Sequence, residues 1–269
     1  MRAPEFWRHD GLMAAILSPL SAIWRHRTAS RMRRTQPENV GVPVICIGNA
    51  VAGGAGKTPV AMSVADRLLM HGAKPHFLSR GYGGTTTETT LVDPSRHSAS
   101  DVGDEPLLLA RHAPTWVAQN RVAVARAAVS AGAEILVLDD GFQNPSLQKD
   151  ISILVVDGGY GFGNGYVMPA GPLREDLDAA VERADAIAII GTDDAGVEKH
   201  LGGRQSVIAA RFVPVIEDDD LSGRPVVAFA GIGRPEKFFE TLSGMGCPLV
   251  ATRSFADHHV YSADEVMRL

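Results

Sequence analysis

The stretch GNAVAGGAGKTP, residues 48–59, decides the fold of this chain. An apolar run that ends at Ile47 precedes it, and a helical pattern begins near Lys57. A glycine-rich turn between a buried strand and a helix directs backbone N–H groups and the positive end of the helix towards phosphate oxygens. The stretch therefore predicts a phosphate-binding loop, although a glycine-rich turn before an ordinary helix produces a similar pattern.

The loop departs from the pattern G-x-x-x-x-G-K-[ST] at one position, because Val51 replaces the first glycine. We expect this change only to relocate the turn, since three of the next five residues are glycine. In such a loop Lys57 reaches the β- and γ-phosphates and the Thr58 hydroxyl ligates Mg²⁺. The predicted nucleotide-binding residues are Val51, Ala52, Gly53, Gly54, Ala55, Gly56, Lys57 and Thr58.

Short β-branched runs alternate with helical stretches from residue 43 onwards, which is typical of βαβ units. The sequence predicts an α/β fold of the P-loop NTPase kind, with a mostly parallel sheet flanked by helices. The acidic stretch IEDDDLSGRP, residues 216–225, reads as a boundary. We expect an N-terminal amphipathic segment at 1–34, a P-loop domain at 35–215 and a smaller C-terminal α/β lobe at 216–269.

Charge and cysteine content narrow the class of protein. The net charge of −5 argues against a partner that is a nucleic acid. The two cysteines, Cys46 and Cys247, have no metal-binding or redox spacing, which fits a reducing compartment. No apolar run reaches the roughly 18 residues of a membrane-spanning helix.

A second motif supports the nucleotide site. EILVLDDGFQ is an apolar strand that runs into Asp139 and Asp140. An acidic residue at the carboxyl end of a neighbouring strand lies beside the phosphates and their metal ion. An acidic pair after a strand is also common in turns and helix caps, so this interpretation depends on the adjacent phosphate loop.

Two further motifs are ambiguous by themselves. VGDEPLLLA places Asp104 and Glu105 in a first helical turn, where the helix dipole favours acidic residues without any other role. FADHHVYS places Asp257, His258 and His259 together, and adjacent histidines without further ligand spacing are a weak metal signal.

Taken in order, six motifs resemble the tetraacyldisaccharide 4′-kinases, which phosphorylate a membrane-embedded acylated glucosamine disaccharide in lipid A biosynthesis. They are GNAVAGGAGKTP, LSRGYGG, VGDEPLLLA, LDDGFQ, FGNGYVMPAGPLRE and FADHHVY, spread over nearly the whole chain. The phosphate loop of that family also lacks the first glycine. The resemblance implies transfer of the γ-phosphate of ATP, with Mg²⁺, to the 4′-hydroxyl of tetraacyldisaccharide 1-phosphate.

The resemblance also implies roles for individual residues. Asp104 is similar to the catalytic carboxylate of the family, oriented by His258, with Lys57 on the phosphates. Thr58, Asp139 and Asp140 match the metal and nucleotide positions. Positions near the substrate or phosphates are matched by Arg80, Glu105, Arg121, Gln143, Arg174 and Glu175.

The chain departs from the family in two places. Asn144 stands where many relatives have histidine after DDGFQ, and residues 216–269 lack the usual extension beyond the Asp-His motif. We therefore expect a C-terminal lobe truncated relative to the family.

A lipid substrate suggests a membrane-binding role for residues 1–34. This segment holds seven arginines but only two acidic residues, and it carries an apolar stripe that includes Ile16, Ile23 and Trp24. Such a helix lies in the membrane interface, although packing against its own domain, with a kink at Pro19, would also explain the stripe. We expect a peripheral protein at the cytoplasmic face of the bacterial inner membrane, with no obligate protein partner.

A P-loop ATPase switch and a non-catalytic nucleotide-binding relative are the alternatives. Partitioning ATPases carry a second lysine early in the loop, whereas Lys57 is the first lysine of this chain and Lys74 the next. That difference favours the kinase.

Overall fold

The computed structural model describes residues 4–214, 221–233, 235–256, 259 and 261–268. Two compact units divide the chain. The larger is Phe6–Ala210, and the smaller is Arg211–Leu269 together with Met1–Glu5. The roles assigned above to segments 1–34, 35–215 and 216–269 stay predictions.

The larger unit contains one sheet and the helices that cover it. Its strands are β1 (Val44–Gly48), β2 (Pro75–Ser79), β3 (Thr90–Leu91), β4 (Thr115–Val117), β5 (Ile135–Asp139), β6 (Ile151–Asp157), β7 (Ala186–Ile190) and β8 (Ser206–Ala210). Its α-helices are α1 (Leu12–Arg34), α2 (Lys57–Met70), α3 (Ala99–Val102), α4 (Asp104–Leu109), α5 (Arg121–Ser130) and α6 (Leu177–Glu182), with a 3₁₀ turn at Val197–His200. Another 3₁₀ turn covers Glu5–Trp7.

The eight strands are ordered β3-β4-β2-β5-β1-β6-β7-β8. Every neighbouring pair is parallel except β3 with β4. The predicted mostly parallel α/β sheet is therefore confirmed. In the centre Ile47 is in register with Asp139, so β1 and β5 end side by side. This register brings the phosphate loop and the DDGFQ motif to the same edge of the sheet.

Alternate residues of β5 face opposite sides of the sheet. Leu136 and Leu138 belong to the core beneath α5, whereas Val137 belongs to the core beneath α2. The residues of α2 that enter this core include Ala61 and Ala65, both completely buried. Small side chains let the helix approach the sheet closely, which fixes its first turn at the end of β1.

The smaller unit has a two-stranded parallel sheet of β9 (Val226–Ala230) and β10 (Leu249–Ser254). Helix α7 (Pro235–Gly244) connects them, and α8 (Ala263–Val266) follows. The predicted smaller α/β lobe is confirmed as part of the fold. Asp257 and His258 lie outside the described residues.

Helix α1 runs through Pro19 without interruption. Ala14 and Ser21 are its buried residues, while Leu12, Ile16 and Ile23 are mostly exposed. Across the part of the chain that the structure describes, no helix has both the length and the apolar content to span a membrane.

Candidate active site

The phosphate loop connects β1 to α2. Gly56 precedes the first turn of α2 with φ 87°, and Gly53 has φ 125°. Both values lie in the left-handed region, which glycine adopts without strain. Val51 instead forms an antiparallel bridge with Leu173, and the N–H of Ala52 donates to the carbonyl of Pro172 at 2.7 Å. The position that usually needs glycine is thus held by a second loop, and valine fits there.

Asp139 ends β5 and is 1% exposed. Its Oδ2 accepts a hydrogen bond from the Thr58 hydroxyl at 3.0 Å, whereas Oδ1 has no hydrogen-bond partner among the described residues. Burial, with the nearby charge of Glu105, raises the pKa of Asp139 to about 7, against the opposing effects of Lys57 and Thr58. A buried carboxylate oxygen that lacks a hydrogen-bond partner can bind a cation together with a neighbouring hydroxyl.

Asp140 adopts φ 55°, a left-handed conformation that turns its side chain away from the line of β5. Both of its carboxylate oxygens accept from Nη1 of Arg174, at 3.0 and 3.1 Å, and Lys57 Nζ lies 3.7 Å from Oδ1. Burial alone would raise the pKa of Asp140, but Lys57, Arg174 and Arg121 outweigh it and hold the pKa below its usual range. Asp140 therefore remains a carboxylate beside the phosphate-loop lysine.

The side chain of Gln143 connects the backbone at Asn49 to the buried carboxylate of Glu175. Gln143 Nε2 donates to the Asn49 carbonyl at 2.8 Å and to Glu175 Oε1 at 3.0 Å. Arg183 from the end of α6 donates to Glu175 Oε2 at 2.7 Å and lies over the Phe142 ring. The sequence motifs did not single out Asn49 or Arg183. Asn49 lies inside GNAVAGGAGKTP, but no motif contains Arg183.

Arg121 begins α5 and is 4% exposed. Its Nη1 makes no hydrogen bond within the described ranges, and burial lowers its pKa. The charges of Asp139, Asp140 and Arg80 all act on this guanidinium. A buried, incompletely paired arginine next to a phosphate loop is suited to an anionic oxygen.

Asp104 is the first residue of α4, directly after Gly103 with φ 91°. It is exposed, and its Oδ1 accepts from the N–H of Glu105 at 2.9 Å. Glu105 is close enough to influence Asp139 electrostatically. His258 lies outside the described residues, so its pairing with Asp104 stays a prediction.

A glycine turn at a helix N-terminus, a lysine held by one carboxylate and a threonine bonded to another define a class: the P-loop nucleotide-binding α/β proteins. A family model described as "Tetraacyldisaccharide-1-P 4'-kinase" matches residues 13–269. The chain belongs to this family, and the resemblance predicted from its motifs is confirmed.

Curated relatives agree with this assignment. Tetraacyldisaccharide 4′-kinase from Rhodospirillum rubrum is 52% identical over 99% of this chain and 82% of the relative. The same-named protein from Paramagnetospirillum magneticum is 52% identical over all of this chain and 83% of the relative. The crystal structure of LpxK from Aquifex aeolicus in complex with ATP matches with a TM-score of 0.77 and 28% identity, covering 94% of this chain and 84% of that one. The chain is a kinase of lipid A biosynthesis.

Proposed function

We propose that this chain binds ATP with Mg²⁺ in the loop at 51–58 and transfers the γ-phosphate to the 4′-hydroxyl of a tetraacyldisaccharide 1-phosphate. The observation that carries the proposal is the pair of contacts that join the loop to β5. Thr58 bonds to Asp139, and Lys57 lies beside Asp140. These contacts support a phosphate-binding role for Lys57 and a metal-binding role for Thr58 and Asp139.

The oxygen atoms at the site fit a magnesium ion. Thr58 Oγ1 and Asp139 are hard oxygen donors, and Mg²⁺ is usually bound by one or two such groups together with phosphates and water. The unmet Oδ1 of Asp139 is the atom that a cation would satisfy. Bound there, Mg²⁺ would neutralise charge on the transferring phosphate. Asp140, already held by Arg174 and Lys57, acts on the lysine instead.

The remaining cations suit the transferred phosphate. Lys57 is largely buried, with a side chain 10% exposed, and Arg121 has an unmet donor in the same region. Positioning and charge neutralisation supply most of the catalysis in phosphoryl transfer, because the reaction makes few other chemical demands. In the step itself the 4′-oxygen forms a bond to the γ-phosphorus, the bond to the β–γ bridging oxygen breaks, and ADP leaves.

The proton of the 4′-hydroxyl goes to Asp104 in this proposal. An exposed carboxylate at the start of a short helix is accessible to an acceptor that arrives from outside, unlike the buried Asp139. His258 is proposed to orient it, on the resemblance alone. Arg80, which is exposed and directly follows β2, and Glu105 are proposed to contact the substrate or the phosphates.

The same proposal places the enzyme peripherally on the cytoplasmic face of the inner membrane. Leu12 is 77% exposed and Ile16 60% exposed, although both are large apolar residues. The last turn of α1 holds Arg31, Arg33 and Arg34. Exposed apolar residues followed by a basic cluster favour an anionic membrane surface, with each basic residue there adding about 1 kcal/mol.

Transfer of ³²P from γ-labelled ATP to a tetraacylated disaccharide 1-phosphate in mixed micelles with Mg²⁺ tests the reaction. Lys57→Ala should abolish the labelled lipid, whereas Lys74→Ala, which removes an exposed lysine paired with Glu134, should leave it unchanged. Equal product from Lys57→Ala and the unaltered chain would contradict the assignment.

Sedimentation with anionic vesicles tests the membrane proposal. Replacing both Leu12 and Ile16 by glutamate should release the protein from vesicles. Met70→Glu provides the matched control, because Met70 is 76% exposed on α2 and outside the proposed membrane face. Unchanged sedimentation of the double variant would overturn the proposal.

A further inference from the structure

Hydrogen bonds connect helix α1 to the loop that contains Arg174. We call residues 164–174 the Arg174 loop. The Ser21 hydroxyl donates to the Val167 carbonyl at 2.6 Å and accepts from the N–H of Ala170 at 3.1 Å. The indole N–H of Trp24 donates to the Arg174 carbonyl at 3.1 Å. Polar contacts therefore connect two successive turns of α1 to this loop.

Arg174 is held at three points. Its N–H donates to the carbonyl of Ala50, directly before the phosphate loop, at 2.7 Å. Its carbonyl accepts from Trp24, and its guanidinium binds both oxygens of Asp140. Since Asp140 in turn lies beside Lys57, only two side chains separate Trp24 from the phosphate-binding lysine.

Large apolar side chains of α1 remain exposed outside these hydrogen bonds. Ile16 and Ile23 are about 60% exposed, and Trp24 itself is 47% exposed. The indole ring thus presents an apolar face to the surroundings while its N–H points into the protein, an arrangement typical of tryptophan at membrane interfaces.

We infer that Trp24 is a positioning residue that couples membrane docking of α1 to phosphoryl transfer: a docked helix fixes the Arg174 backbone, and Arg174 then holds Asp140 and Lys57 in place. The inference rests on the proposed membrane association. Free in water, α1 is connected to the Arg174 loop through the hydrogen bonds of Ser21 and Trp24. Docking would also bury the exposed apolar residues of α1 in the membrane interface and so restrict the motion of the helix. Phosphoryl transfer is sensitive to such fixing because much of its acceleration comes from orientation.

Trp24→Phe tests this inference, because phenylalanine keeps an aromatic ring but lacks the N–H donor. At saturating ATP and lipid we expect kcat to fall about fivefold, the factor that corresponds to one neutral hydrogen bond of about 1 kcal/mol. Vesicle affinity should stay within about twofold. Trp116→Phe is the matched control, since Trp116 also donates one indole hydrogen bond, but to His76 at 3.2 Å, and it lies in β4 rather than in α1. Its kcat should equal that of the unaltered chain.

Hydrogen exchange of the amides at 164–174, with and without bare anionic vesicles, tests the coupling without any activity measurement. Vesicles should slow exchange in the unaltered chain and slow it less in Trp24→Phe. Wild-type kcat in Trp24→Phe, or exchange at 164–174 that vesicles leave unchanged, would overturn the inference. Failure of the proposed function has a different signature: the unaltered chain would show no Lys57-dependent transfer or no vesicle binding.

Discussion

The Thr58 hydroxyl donates a 3.0 Å hydrogen bond to the buried carboxylate of Asp139, 81 residues further along the chain. This contact joins the first turn of α2 to the end of β5. The other carboxylate oxygen, Asp139 Oδ1, has no hydrogen-bond partner in the described part of the protein. Because the side chain is buried, ionising this carboxylate is costly.

Asp139→Asn should stabilise the nucleotide-free protein at high pH. The pKa of Asp139 is raised in the folded state, from 3.8 to about 7, so the folded chain binds its proton more tightly than the unfolded chain. The stabilising contribution of that proton is complete below about pH 4 and is lost as the pH rises to about 7. The advantage of the variant should therefore grow by about 2 to 3 kcal/mol between pH 5 and pH 8.

Urea unfolding without nucleotide at the two pH values measures this advantage. Glu88→Gln, which removes an exposed carboxylate, is the control variant. A constant difference between Asp139→Asn and the unaltered chain would show that Asp139 is already ionised at pH 5.

Arg174→Lys should lower kcat by roughly 10- to 100-fold with little loss of stability. Lysine keeps the charge but lacks the rigid guanidinium whose Nη1 reaches both oxygens of Asp140, and charge-assisted hydrogen bonds contribute about 1.5–3 kcal/mol. The main-chain bonds of Arg174 to Ala50 and Trp24 remain in the variant. Steady-state kinetics of ³²P transfer provide the measurement. Arg126→Lys, at an exposed ion pair with Glu38, is the control, and equal rates in both variants would contradict the assigned role.

Asp104→Asn should reduce kcat by about 10²- to 10⁴-fold, the usual contribution of a proton-transfer group, while ATP affinity is retained. Asp101→Asn is a suitable comparison, because Asp101 lies three residues earlier and bonds to Ser98 at the start of α3. That variant should lose some stability but no turnover. Near wild-type turnover in Asp104→Asn would remove Asp104 from the mechanism.

Arg183→Gln should destabilise the fold by about 2 kcal/mol, because it leaves the buried Glu175 without its cation. Fully buried pairs lose about 3–5 kcal/mol in this way, and the smaller figure reflects an arginine side chain that is one-third exposed. Adding Glu175→Gln removes the unpaired charge and should recover most of the loss. A double-mutant cycle of urea midpoints tests this, and additive losses would show that the two side chains do not interact.

Local sequence patterns predicted much of the site. Strand, glycine turn and helix follow one another within 48–59, so chain connectivity alone places Lys57 and Thr58 at a helix N-terminus. The parallel sheet was predictable for a similar reason, since strands buried on both faces leave continuous apolar runs such as ILVLD. The short antiparallel β3 was missed, because two residues are too few to produce a periodic pattern.

The conformation at Val51 could not be predicted from local sequence patterns. From the sequence, Val51 was a departure from the glycine pattern, and the resemblance indicated only that relatives share it. In the fold Val51 pairs with Leu173, more than 100 residues away. No local pattern predicts such a contact, because the bridge depends on the path of the Arg174 loop between β6 and α6.

The sequence by itself determined the family, the parallel α/β fold and the chemical types at the phosphate loop, because these depend on residue identity and short-range spacing. Only the tertiary structure decided the different states of Asp139 and Asp140. The two neighbours have the same side chain, yet burial raises the pKa of one while Lys57 and Arg174 lower that of the other. Electrostatic environment is set by groups brought together from distant parts of the chain, and no stretch of sequence contains it.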